Sequence, residues 1–141
     1  FNVRSTDLQA FLGLRQVDKL DWMVRRRREN HARYAARFLG KLSFQTPPAG
    51  ALSCSISFGA LAKDTEERRR IVRALEEAGV ETRIFSAGNL GLHPFWTERY
   101  GKASFPMADR IHHCGFFLPN NPSLSLETID HIAGTALGAL R

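Results

Sequence analysis

Hydrophobic spacing divides the chain into two N-terminal helices followed by strands and helices in alternation. Ser5, Thr6 and Asp7 are residue types that favour helix N-caps, and Leu8, Phe11 and Leu12 follow them on one helical face. Val17, Leu20, Val24, His31, Tyr34 and Phe38 then recur at steps of three, four or seven residues. That spacing predicts a second, longer helix ending near Gly40. Trp22 and Met23 widen its apolar side, while Arg25, Arg26, Arg28, Glu29, Arg33 and Arg37 occupy its other faces.

Thr46–Gly50 (TPPAG) is a turn signal. SCSISF then alternates, with Cys54, Ile56 and Phe58 on one face and serines on the other, which predicts a half-buried strand. Asp64 or Thr65 caps a third helix whose inner face is Ile71, Val72, Leu75 and Ala78, and Gly79 ends it. Val80 to Phe85 reads as a second strand. Residues 92–106 read as aromatic and irregular, and Met107–His113 as a short helix. Gly115–Leu118 is a short apolar strand. Ser125 caps a last helix, with Leu124 and Ile129 as a hydrophobic staple. The expected class is α/β: about three strands packed with helices, preceded by a long amphipathic helix.

Composition narrows the function. A chain of 141 residues, 43% hydrophobic, is one domain with a real core. No apolar run approaches the roughly 18 residues of a membrane span, and FNVRSTDLQ has no signal-peptide pattern. A first residue of Phe1 leads us to expect processing or a piece of something longer. Cys54 and Cys114 are expected to be reduced residues of a cytoplasmic protein. Lys+Arg 20 against Asp+Glu 14 gives +6, which admits nucleic acid, phosphorylated small molecules or an acidic partner domain. Arg25–Arg28 lack interleaved aromatics and wrap all around a helix, so a solvated or subunit-facing surface is preferred to nucleic acid.

Most candidate chemistry dissolves into ordinary structure. His112 and His113 are adjacent and cannot easily face one ion, so with Cys114 they read as helix-end residues. His31 reads as a satisfied core histidine. Asp7, Asp18 and Asp21 read as caps and surface charges. No nucleophile elbow, phosphate-binding P-loop or zinc-protease helix is written in the chain. ETRIFSAGNLGLHP (Glu81–Pro94) is different. Arg83 in a strand pattern can take a phosphate or carboxylate bidentately. Gly88 allows close backbone approach, and Asn89 offers a donor and an acceptor. The competing reading is a plain strand-turn with a surface salt bridge.

Longer stretches carry a resemblance. FNVRSTDLQAFLGLRQVDKLDWMVRRRRENHARYAARF, GVETRIFSAGNLGLHPFW and ADRIHHCGFFLPNNPSLSLETID are similar to corresponding stretches of the DegT/StrS family of sugar aminotransferases. SISFGAL resembles a family strand less well, with Ser57 departing from the pattern. The branch it resembles most is the nucleotide-linked 4-keto-6-deoxysugar 3-dehydratases.

That resemblance implies the small C-terminal domain of a fold-type I enzyme using pyridoxal phosphate (PLP). Residues 1–45 would be a helical segment linking from a large N-terminal PLP domain, and 46–141 the α/β small domain. None of Lys19, Lys41, Lys63 or Lys102 sits in the family's Schiff-base context, so the chain alone is expected to be inactive. The implied assembly is a homodimer acting on a nucleotide-linked keto-sugar in deoxysugar or lipopolysaccharide biosynthesis. Asn2 would meet the cofactor phosphate, and Arg4 a substrate or cofactor anion. Arg83 would be a substrate-side cation, and Gly88 and Asn89 a wall over the sugar. His93 matches no family position, and Asn120 lies in a turn that either approaches the site or merely turns. A sugar aminotransferase of the same family and a freestanding non-catalytic binding domain are the alternatives.

Overall fold

The computed structural model describes residues 4–140. Its centre is an antiparallel pair, β2 (Ser57–Leu61) and β4 (Gly115–Pro119). Phe58 stands opposite Leu118 and Ala60 opposite Phe116, and all four are buried. Period-two alternation puts them on one sheet face. β1 (Ser43–Phe44) adds to the outer side of β2, and β3 (Arg83–Ile84) to the outer side of β4. The sheet order is therefore β1-β2-β4-β3, antiparallel throughout.

Three helices cover the apolar face: α2 (Leu20–Phe38), α3 (Thr65–Glu77) and α6 (Leu126–Gly138). They contribute Tyr34 and Phe38, Ile71 and Leu75, and Ile129, Ile132, Ala133 and Ala136 to one core with the strands. Phe58 is its hub, with the rings of His31, Tyr34, Phe44 and Phe38 centred 4.9, 5.0, 5.4 and 5.7 Å away. Tyr34 keeps its hydroxyl satisfied by donating to the Pro119 carbonyl at 3.0 Å. Burial raises the Tyr34 pKa and lowers that of His31.

The caps follow local chemistry. Thr6 and Gln9 form a reciprocal capping box on α1 (Asp7–Val17). Asp64 accepts the Glu67 N–H on α3 at 2.8 Å, and Ser125 accepts the Thr128 N–H on α6 at 3.2 Å. Gly79, at φ +73, follows the end of α3 as expected.

Several sequence expectations need correction. The expected α/β class stands, and among the described residues a fourth short strand, Ser43–Phe44, pairs with the far end of β2. Of SCSISF only Ser57 and Phe58 join the sheet; Cys54 is exposed and Ile56 is 77% exposed. Their would-be partner turns away after Pro119, and Asn120 Nδ2 takes the Ser55 carbonyl instead. The second strand shrinks to Arg83–Ile84, since the Val80 N–H closes α3 on the Leu75 carbonyl. Val17 belongs to α1, because a turn at Asp18–Lys19 interrupts the helix before α2 begins. Within the stretch read as irregular lies α4 (Pro94–Tyr100), started by a proline at its first position. The short helix at 107–113 is α5 (Pro106–Cys114).

α1 buries none of its residues, and the apolar face of Leu8, Phe11 and Leu12 is exposed. No described helix is long and apolar enough to cross a membrane.

Because Phe58 joins both strands and helices in one core, Phe58→Ala should lower stability by about 3–5 kcal/mol. Urea unfolding followed by circular dichroism reads this as a lower midpoint with an unchanged slope.

Candidate functional site

Alternation leaves Ser57, Gly59 and Phe117 on the sheet face away from the helices. Phe85 lies on that face, stacked on Phe117 with centroids 4.4 Å apart. Two glycines make room for it. A Cβ at Gly59 would stand 2.5 Å from Phe85 Cε2, and one at Gly115 2.7 Å from Phe85 Cβ. Beside this stack opens a hollow of about 670 Å³. Its apolar lining includes Ile56, Ile84 and Phe117, and its polar lining Ser57, Glu81, Arg83 and Ser86.

Arg83 stands directly opposite Phe117 in the β3–β4 register, so its stem shares that face. Its Nε and Nη2 donate to one Glu81 oxygen at 3.1 and 2.7 Å. Both side chains are about three-quarters exposed, at 77% and 74%. An exposed pair of this kind is weak, and an incoming phosphate or carboxylate competes with Glu81 at little cost. The salt bridge anticipated as a rival reading therefore exists, and it leaves the cation on the rim of the hollow.

The loop after Arg83 turns inward. Ser86 and Gly88 both have left-handed backbone, at φ 48° and 62°. Asn89 is 2% exposed. Its Nδ2 donates to Asp109 Oδ1 at 2.5 Å and to the Ala103 carbonyl at 3.2 Å. Its Oδ1 accepts the Gly91 N–H at 2.8 Å, starting a 3-10 turn at Leu90–Leu92. Its own N–H donates to His112 Nδ1 at 3.3 Å. Ser104 Oγ donates to Asp109 Oδ2 at 2.6 Å. Those bonds, Ser104 first and Asn89 second, hold the Asp109 carboxyl below the usual carboxylate range.

The predicted site residues thus separate. Arg83, Gly88 and Asn89 share one strand and loop, but of the three only Arg83 lines the hollow. Gly88 meets His112, and the Asn89 side chain is engaged inside the protein. Arg4 is exposed two residues before the Thr6 cap of α1, and Asn2 lies outside the described residues. His93 Nε2 lies 2.6 Å from the Ala87 carbonyl. Asn120 is buried and donates to the Arg27 and Ser55 carbonyls at 3.2 and 2.8 Å, joining α2 to the approach of β2. Among the described residues no group of three or more His, Cys, Asp or Glu could hold a metal ion.

Sequence reasoning missed the parts played by Phe85, Phe117 and Asp109, and read His112 as a helix-end residue without its contact to the loop. The signals were present. A glycine inside a strand marks close approach of another group, and Gly59 and Gly115 both carry it. Asp109 and His112, three apart on α5, share a helix face.

A model of the DegT/DnrJ/EryC1/StrS aminotransferase family matches residues 1–136. The chain belongs to that family. It is 29% identical over 139 residues to the lipopolysaccharide biosynthesis protein RfbH of Salmonella typhimurium, covering 94% of this chain and 32% of that protein. It is 27% identical over 133 residues to GDP-perosamine synthase of Escherichia coli O157:H7, covering 94% of this chain and 35% of that one. Among solved structures, E. coli GDP-4-keto-6-deoxy-D-mannose-3-dehydratase with bound hydrated PLP superposes with a TM-score of 0.83. That likeness is one of fold, at 22% identity over 96% of this chain and 36% of the other. The chain spans about a third of the length of the curated relatives it matches.

The close fit at Gly88 is testable against a control. Gly79→Ala places a Cβ in open space at φ +73, so it carries only the left-handed strain, about 1 kcal/mol. Gly88→Ala at φ +62 adds a Cβ 2.2 Å from His112 Nδ1. Thermal unfolding should show the Gly88 variant losing clearly more stability than the Gly79 variant, by a further 1–3 kcal/mol or about that. Equal losses would show that the loop does not press on His112.

Proposed function

We propose that this chain forms the substrate-facing wall of a PLP-dependent enzyme that removes the 3-hydroxyl of a nucleotide-linked 4-keto-6-deoxysugar. The observation that carries the reading is Arg83. It is an exposed cation on the rim of an apolar-floored hollow, held by a single weak surface pair. The fold likeness to a dehydratase of this substrate class and the similarity to a lipopolysaccharide biosynthesis protein support it. The matching family model is one of aminotransferases, which makes delivery of an amine to the sugar the second reading.

In this reading Arg83 exchanges Glu81 for a diphosphate or sugar oxygen. Ile56, Ile84 and Phe117 give the ligand an apolar floor, and Ser57 and Ser86 offer hydroxyls at its edge. The chain's own contribution is to bind, orient and neutralise charge. The described residues do not fit a PLP site by themselves. Lys19, Lys41, Lys63 and Lys102 are all exposed, and none lines the hollow. The electron sink that PLP supplies when bound would come with a large N-terminal domain. Asn2 and Arg4 would face the cofactor phosphate and a bound anion across a homodimer interface, in a cytoplasmic enzyme. The apolar stripe of α1 would meet the large domain.

Arg83→Ala, made in the protein carrying this chain together with its cofactor domain, should raise KM for the sugar nucleotide about 10- to 100-fold. Its melting temperature should barely move, because the side chain is exposed. Unchanged steady-state kinetics would remove Arg83 from the site.

A further inference from the structure

The loop after Arg83 is fastened to α5 through a nitrogen that can accept only when its ring is neutral. Asn89 N–H donates to His112 Nδ1 at 3.3 Å. That bond needs a bare Nδ1, hence a neutral imidazole with its proton on Nε2. The contact is close, since a Cβ on Gly88 would stand 2.2 Å from the same nitrogen. The left-handed Gly88 thus lays the loop backbone directly against the ring. We propose that His112 is a positioning residue, a latch that holds the loop 86–92 when neutral and releases it when protonated.

A protonated ring points a second N–H at the Asn89 N–H. Two donors then face each other at a residue that is 2% exposed, and the amide loses its partner away from water. The side chain of Asn89 is held by Asp109, Ala103 and Gly91 independently of the ring. Release is therefore a movement of backbone around a retained anchor and not local unfolding.

The titratable and charged groups around the latch are few. Asp109 lies one turn earlier on α5, with its carboxylate on the Asn89 amide. His113 is edge-on to His112 with ring centroids 4.9 Å apart. Across the loop, His93 Nε2 meets the Ala87 carbonyl, a bond an imidazole donates in either charge state. From α3, Arg68 Nε donates to the Gly115 carbonyl just past the end of α5. Among these contacts, the one from Asn89 N–H to His112 is lost by protonating an imidazole. The consequence for substrate rests on the proposed role of Arg83, whereas the latch itself can be read with no ligand present.

The experiment is hydrogen exchange of the Asn89 amide in the 15N-labelled full chain, expressed as protection relative to the intrinsic rate, at about pH 5 and about pH 7.5. Protection should fall roughly tenfold or more at the lower pH. The Val80 amide, bonded to the Leu75 carbonyl, should keep its protection. The 15N shift of His112 Nδ1 should be that of an unprotonated nitrogen at the higher pH. His112→Asn, whose Oδ1 can stand in for Nδ1, should hold Asn89 at both pH values; His112→Phe should lose it at both. Equal Asn89 protection at the two pH values in the unaltered protein overturns the latch, even if the Phe variant fails to fold. A proton on Nδ1 at the higher pH overturns it too. Undiminished pH dependence in His112→Asn assigns the titration to another group and rejects the proposal. A working latch alongside an Arg83→Ala variant with normal kinetics would leave the latch standing and remove the substrate reading alone.

Discussion

The antiparallel register of β2 and β4 is the constraint on which everything else rests. Setting Phe58 against Leu118 and Ala60 against Phe116 gives one face that must be buried, and α2, α3 and α6 bury it. The same register sends Ser57, Gly59 and Phe117 the other way. Two of the positions on that side are glycines, Gly59 and Gly115, so an aromatic ring can lie flat on the sheet. The hollow beside Arg83 is therefore the reverse side of the core. Shifting the register by one residue would exchange the two faces and remove both together.

Legibility in the sequence followed the range of the interactions. The caps at Thr6, Asp64 and Ser125 and the glycine after α3 depend on residues within four positions of each other, and they were readable, Thr6 as one of three candidates and Asp64 as one of two. Strand limits were not. β2 begins at Ser57 because its antiparallel partner ends at Pro119, which lies far along the chain. Nothing in SCSISF itself says that Ser55 loses its ladder bond to Asn120. The site divides in the same way. Arg83 was readable as an exposed cation before a loop. Asn89 was readable as an amide in that loop, but its partners Ala103, Asp109 and His112 lie 14, 20 and 23 residues away.

The arginine excess has a structural use that composition concealed. Arg26 donates to the Leu124 carbonyl, Arg68 to Gly115 and Arg70 to Ala139, so each satisfies a backbone oxygen of a distant element. Arg33 takes Asp130 of α6 in two bonds, Nε to Oδ1 and Nη2 to Oδ2. The carboxyl of Asp130 is held below its usual range, first by that hydrogen bond. A planar fork with five donors suits such seams between helices better than a lysine would. Positive charge gathered for this purpose is dispersed over many faces, unlike the single stripe that follows a phosphate backbone.

α1 stands apart from the core. It is 11 residues long and buries none of them in the described fold, yet Leu8, Phe11, Leu12, Leu14 and Val17 are all more than half exposed. A helix of that length is marginal in water without tertiary contacts, and its capping box contributes about 1 kcal/mol. Contiguous exposed apolar residues of this kind mark an interaction surface. On the proposed reading the cover is the large domain, which also brings the cofactor chemistry that the exposed lysines cannot supply. On that same reading, the exposed Arg83, paired with Glu81 on the rim of the hollow, is a cation left open to what the large domain places against it.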